Sequence, residues 1–289
     1  MQQRLLRGAD QCRGGQRLPP HRGTAAGRRP RGPGADRLRD ANAARGPGRR
    51  AVNLAAPCLE AVLVPAAFAG IAVAARAVSL SGAAAGFALA VAVYTGAGRG
   101  GFAALATFVV LGSAATRVGY QPKAHRGIAQ ADRGRRSAVH ALANCSVAVC
   151  AATAMPFVGR PEWLVYALIG SLSTALCDTL GTEVGQTVAG RTWTLLPFRP
   201  AAPGTPGAVS FWGTVAGVAG AALVALAAAA SGVGRVSLVW VPAAAATVAS
   251  VAESVVKSRA RGGLSGHWFN VANTVVGAAL SAAIAAFAG

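Results

Sequence analysis

The sequence predicts an all-α fold, a polytopic transmembrane bundle of about eight spans. Three observations carry that reading. Of 289 residues, 53% are hydrophobic and only 13% charged, with a mean hydropathy of +0.45, whereas soluble domains carry about 25% charged residues. Aromatic residues are sparse at 6% while glycine alone numbers 37, a composition that lets membrane helices approach closely. From Ala51 onward, long apolar runs alternate with short loops that hold Gly, Pro or Arg.

The net charge of +19 would suit a nucleic-acid binder, but its distribution does not. Residues 1–50 hold 13 Arg against 3 Asp, and most of the remaining excess sits in short loops between apolar runs. The partner expected is therefore the lipid bilayer, with no nucleic acid. The tail 1–50 has almost no periodic apolar positions and reads as disordered. It lacks the apolar stretch of about 7–15 residues that a secretory signal needs. Residues 51–289 read as a single integral membrane helical domain.

A membrane-crossing helix needs roughly 17–25 apolar residues. Eight runs are candidates, the third short and the fifth interrupted by polar residues: about 54–75, 79–97, 101–116, 138–158, 162–180, 207–231, 236–256 and 268–288. Gly82-x-x-x-Gly86 and Gly213-x-x-x-Gly217 provide small-residue spacings for close helix contact. Odd-numbered loops between these runs contain twelve Lys or Arg and even-numbered loops three, which assigns the odd loops to the cytoplasm. The expected location is a bacterial-type inner (plasma) membrane with the motif loops cytoplasmic. Five cysteines form no CxxC pair and four lie in apolar stretches. They read as small buried residues, and no structural metal is expected.

Three stretches hold the polar residues that composition does not explain. Residues 113–146 include Arg117, Lys123, Arg135, Arg136 and, one turn after His140, Asn144. This is a loop for anionic phosphate oxygens or a set of charges that fixes topology. Residues 171–186 carry Asp178 and Glu183 inside an otherwise apolar or small run. Five residues apart, they differ by about 140° around a helix, so a break near Gly181 is needed to bring them together. Acids at membrane depth are functional candidates by default. Beyond them, four prolines and two glycines within 197–207 form a rigid turn before an apolar helix. Its Gly204, Thr205, Gly207 and Ser210, with Arg199 before them, offer backbone and hydroxyl donors to an anion. The fold is thus expected to contain a broken helix and Gly/Pro loop around 178–207. The last stretch joins Glu253 and Ser254, with Lys257 one turn on, to Asn270 and Asn273.

These residues resemble a known family. The runs Asp178-Thr179-x-x-x-Glu183-Val-Gly185 and Pro203-Gly204-Thr205-x-Gly207-x-Val209-Ser210-x-x-Gly213-Thr214 are similar to conserved elements of the transmembrane protein 19 family, also called domain of unknown function 92. So are Thr116-Arg117-x-Gly119-x-x-x-Lys123, Gly134-Arg135-Arg136, Leu142-Ala143-Asn144, Glu253-Ser254 and Asn270-x-x-Asn273-x-x-x-Gly277-Ala278. Departures are Thr182 in place of the usual Ser, and Lys257 where the family commonly has Gly. The resemblance, over roughly residues 60–289, implies a nucleotide-dependent kinase of isoprenyl (phytyl-like) monophosphate, because plant relatives are phytyl-phosphate kinases. It further implies Mg²⁺ and a nucleoside triphosphate as cofactors, with Asp178 and Glu183 as catalytic groups and metal ligands. Arg117, Lys123, Arg135 and Arg136 would then neutralise an isoprenyl-phosphate or other anionic lipid-like substrate. The rival reading is a membrane transporter or carrier of a small or lipid-linked anion, since broken helices and intramembrane acids also build transport sites.

Overall fold

The computed structural model describes residues 55–188, 190–259 and 266–288; the tail 1–50 lies outside them, so the expectation for it stands apart. The described residues belong to one compact unit, 53–289. They form α1 (Ala55–Ala74), α2 (Leu80–Arg117), a short α3 (Tyr120–His125), α4 (Ala138–Val158) and α5 (Glu162–Thr187). Strands β1 (Thr192–Leu195), β2 (Phe198–Ala201) and β3 (Ala208–Ser210) follow, then α6 (Phe211–Ala230), α7 (Trp240–Arg259) and α8 (Gly266–Ala288).

Among the described residues, six helices are long and apolar enough to cross a membrane, so the expected eight is slightly generous. The difference has two sources. The first run yields only a shorter apolar helix over Cys58–Ala74, and the second and third runs share the single 38-residue helical stretch α2. That stretch is not straight. At Gly98 the backbone leaves helical geometry, with φ 73° and ψ −162°. Gly82 and Gly112 both lie against Arg136, although about thirty residues of straight helix would hold them ~45 Å apart. The two arms of α2 therefore fold back on each other around Gly98, whose positive φ favours a residue without Cβ.

Helix α5 is the axis of the bundle, the most buried of the six, and it touches α2, α4, α6, α7 and α8. Its neighbours approach through small residues. A Cβ on Gly217 of α6 would stand 2.8 Å from the Cys177 carbonyl oxygen, and one on Gly170 equally close to that of Gly277 in α8. Of the two spacings seen in the sequence, 213/217 makes such contacts. Gly82 packs on the Arg136 backbone, while Gly86 meets nothing. The helix is also unbroken: it runs through Gly181 and Gly185 to Thr187. The break expected near Gly181 comes after Thr187 instead, because the two glycines serve contact with Gly213 and Ser210.

The loop after α5 holds a three-stranded antiparallel sheet, ordered β2-β1-β3, that the all-α reading did not include. Its signal was present as the alternation Thr192-Trp193-Thr194-Leu195, with both threonines buried. Trp193 stacks on Phe198 across the hairpin.

The loops segregate by charge. Arg117 donates to the Ala75 carbonyl, Arg126 to that of Gln186, and Ser258 to that of Leu196, so the odd loops share one end of the bundle. Arg160 donates to the Gly96 carbonyl and Arg235 pairs with Glu162, while Gly100 lies against Val233; the even loops share the other. Of fourteen Lys and Arg in the described residues, eleven are at the first end. Cys145 and Cys177 are buried as expected, but Cys58 and Cys150 face outward.

Candidate functional site

The basic end contains one polar cavity of about 260 Å³, between the C-terminal half of α5, the 203–210 turn and α7. Asp178, Gly181, Thr182 and Gln186 line it from α5, with Gly204, Thr205, Gly207 and Ser210 opposite and Ser254 and Lys257 on α7. A smaller space of about 80 Å³ continues it into the bundle and shares Asp178, Thr182, Ser210 and Ser254. Asp178 is half-buried.

The turn is built by its glycines. Gly204 and Gly207 adopt φ 90° and 73°, a region that costs a residue with Cβ. A Cβ on Gly207 would also lie 2.6 Å from the Ser258 amide nitrogen. The Thr205 amide donates to the Ala202 carbonyl and the Ala208 amide to that of Thr205, and Pro203 and Pro206 carry no N–H. The expected cradle of free amides is therefore thinner than the sequence suggested. The Ser210 oxygen is likewise engaged, accepting the Gly213 amide as the N-cap of α6 at 3.1 Å.

On α7, Lys257 Nζ stands 2.7 Å from Glu253 Oε1, and Asn273 Nδ2 donates to Glu253 Oε2 at 2.6 Å. Asp178 acts electrostatically on both Glu253 and Lys257. The second carboxylate beside Asp178 is thus Glu253. Lys257, which departs from the expected family glycine, supplies the cavity's cation.

Glu183 does not join Asp178. It is 3% exposed, holds Lys123 Nζ at 2.5 Å through Oε2 and accepts from Gln130 Nε2 at 2.7 Å through Oε1. Lys123, 1% exposed, also donates to the Thr116 carbonyl. The cause is geometric: on an unbroken helix the two acids point about 140° apart. The structure therefore does not bring Asp178 and Glu183 together at one site. Among the described residues no group of three or more His, Cys, Asp or Glu converges. A metal here would complete its shell with phosphate oxygens and water, as Mg²⁺ commonly does.

The other expected residues separate. Arg117 and Arg199 are exposed at the same end but do not line the cavity, and Arg135 pairs with Asp132. Asn144 turns back to the His140 carbonyl at 2.8 Å, and Asn270 is half-buried away from the cavity. Arg136 is buried, held by backbone bonds to Ala77 and Ser79, and burial lowers the pKa of its guanidinium. Sequence reasoning left Lys257, Ser254 and Thr182 out of the site. The Glu253–Lys257 spacing was the signal for Lys257 and Ser254, and the face shared with Asp178 the signal for Thr182.

Comparison with known proteins adds a family. The model of the integral membrane protein family DUF92 matches residues 63–258. An uncharacterised membrane protein of Synechocystis sp. is 32% identical over 116 residues, 39% of this chain and 45% of that protein. No solved structure matches. The chain belongs to the DUF92 family of integral membrane proteins.

Proposed function

We propose that this DUF92 membrane protein transfers a phosphoryl group from a nucleoside triphosphate to an isoprenyl-type monophosphate at the polar cavity of its basic end. The observation that supports it is the convergence of Asp178, Lys257 and the 203–210 turn on one cavity at the end holding most of the cations. The terminal phosphorus would pass to an oxygen of the monophosphate, forming a P–O–P link and releasing the nucleoside diphosphate. A phosphate monoester has its second pKa near ~6, so its oxygen needs no base at neutral pH. The work left to the protein is orientation and charge neutralisation. Lys257 would hold a phosphate oxygen, and the Gly204 and Gly207 amides would approach it without side-chain obstruction. Asp178, with Glu253, would hold Mg²⁺, which when bound offsets charge on the bridging phosphates. The bilayer would carry the isoprenoid chain. The carrier reading drew on broken helices and intramembrane acids; α5 runs unbroken through Gly181, which removes the break expected there, while α2 breaks at Gly98.

The test uses the full chain purified in detergent, with phytyl or geranylgeranyl monophosphate and each common nucleoside triphosphate in turn. Formation of the diphosphate, lost in Asp178→Asn, is the expected result. No diphosphate with any nucleotide would sink the proposal.

A further inference from the structure

A second site lies apart from the polar cavity. Between α1, the two arms of α2 and α4 runs a slot of about 60 Å³, lined almost wholly by carbon. Phe68, Gly86, Leu105 and Phe108 form part of its wall, and Arg136 and His140 close its end at the basic side. The slot is apolar enough to stay dry.

Arg136 is the unexplained group. It is 7% exposed, and its Nε and Nη2 find no hydrogen-bond partner among the described residues. Its charge stands 5.2 Å from the centre of the Phe108 ring, a contact that offsets only part of the desolvation of a cation. Gly112 leaves the space the guanidinium occupies, since a Cβ there would lie 2.8 Å from Nη2. The carboxylates of Glu183 and Asp178 act on Arg136 through space, yet neither bonds to it, and Glu183 is engaged by Lys123 and Gln130. A guanidinium has a planar fork of donors suited to phosphate or carboxylate oxygens. Here that fork stands at the mouth of a narrow hydrocarbon-lined space.

We infer that Arg136 and the slot beneath it bind a single-chain anionic amphiphile, its phosphate or carboxylate head on the guanidinium and its first methylenes between α1, α2 and α4. The inference does not rest on the proposed kinase activity, because the slot shares no lining residue with the Asp178 cavity.

The test is equilibrium binding to the full chain in nanodiscs, with dodecyl phosphate as probe and inorganic phosphate and dodecanol as controls. Dodecyl phosphate should bind at least tenfold tighter than either control. Arg136→Gln should weaken it tenfold or more. Gly86→Leu, which fills the slot from a position where a Cβ meets nothing, should do the same without touching the arginine. Asp178→Asn should bind it as the unaltered protein does, separating this site from the proposed active site. Should Arg136→Gln fail to fold, Gly86→Leu decides alone. Unchanged affinity in either folded variant would overturn the site. Equal binding of inorganic phosphate would show a free-anion site instead, and equal binding of dodecanol would show that the arginine contributes nothing.

Discussion

Glu183 and Asp178 share one helix, five residues apart, and live in opposite surroundings. Glu183 is sealed, with both oxygens satisfied by Lys123 and Gln130. Asp178 faces a cavity of about 260 Å³ that Lys257 also lines. An acid near membrane depth is costly unless it meets a cation, a donor or water, and these two meet that demand differently. Glu183 ties the α3 region to α5 and so fixes the wall of the cavity. Asp178 keeps its charge available to whatever enters. An intramembrane carboxylate by itself therefore does not mark chemistry; its partners decide.

The largest effect expected from this contrast is on stability. Breaking the sealed pair leaves a buried charge alone, which costs about 3–5 kcal/mol, so Glu183→Gln and Lys123→Met should each lower Tm strongly in detergent. The double variant Lys123→Met/Glu183→Met should be less damaged than either single one. Single variants that melt like the unaltered protein would erase the distinction between the two acids.

Asp178→Asn should behave in the opposite way, leaving Tm in place while lowering the phosphoryl-transfer rate about 100-fold, or ~2.7 kcal/mol of transition-state stabilisation. A drop in Tm with unchanged activity per folded molecule would make Asp178 a second structural acid.

Gly207→Ala probes the opposite wall. A Cβ there takes φ 73° against the Ser258 backbone, a strain of about 1–3 kcal/mol, so both Tm and turnover should fall together. Loss of neither would show that the turn can move aside.

Arg135→Ala removes a pair in which both side chains are nearly half exposed. Its effect on stability should stay below about 1 kcal/mol, a control that charge number alone is not what holds the basic end.

The least perturbing test concerns sidedness. Ala124→Cys and Arg160→Cys, both exposed and at opposite ends of the bundle, should react with an impermeant thiol reagent from opposite sides of a vesicle. Cys12 of the tail, and Cys58 and Cys150, which face outward, are replaced first. Labelling from one side would break the assignment of the basic end to the cytoplasmic face.

Much of this architecture was legible in the chain. Low charge, small residues and apolar runs separated by basic loops point to a membrane helical bundle, because a backbone in lipid must satisfy its hydrogen bonds internally. The segregation of Lys and Arg to alternate loops was likewise visible, since it is a property of position along the chain. The 203–210 turn and Asp178 stood out for similar local reasons: prolines and glycines cannot continue a helix, and an acid is out of place in an apolar run. Tertiary structure decided the rest. Gly98 folds α2 on itself, while Gly181 and Gly185 leave α5 straight; sequence supplies the same residue type in both places, and only packing against neighbours chooses between a bend and a contact. Which acid meets Lys123, and which faces Lys257, depends on helices distant in sequence arriving at the correct rotation. Those pairings arise between segments, where Coulomb attraction and desolvation act across space, and no spacing along the chain encodes them.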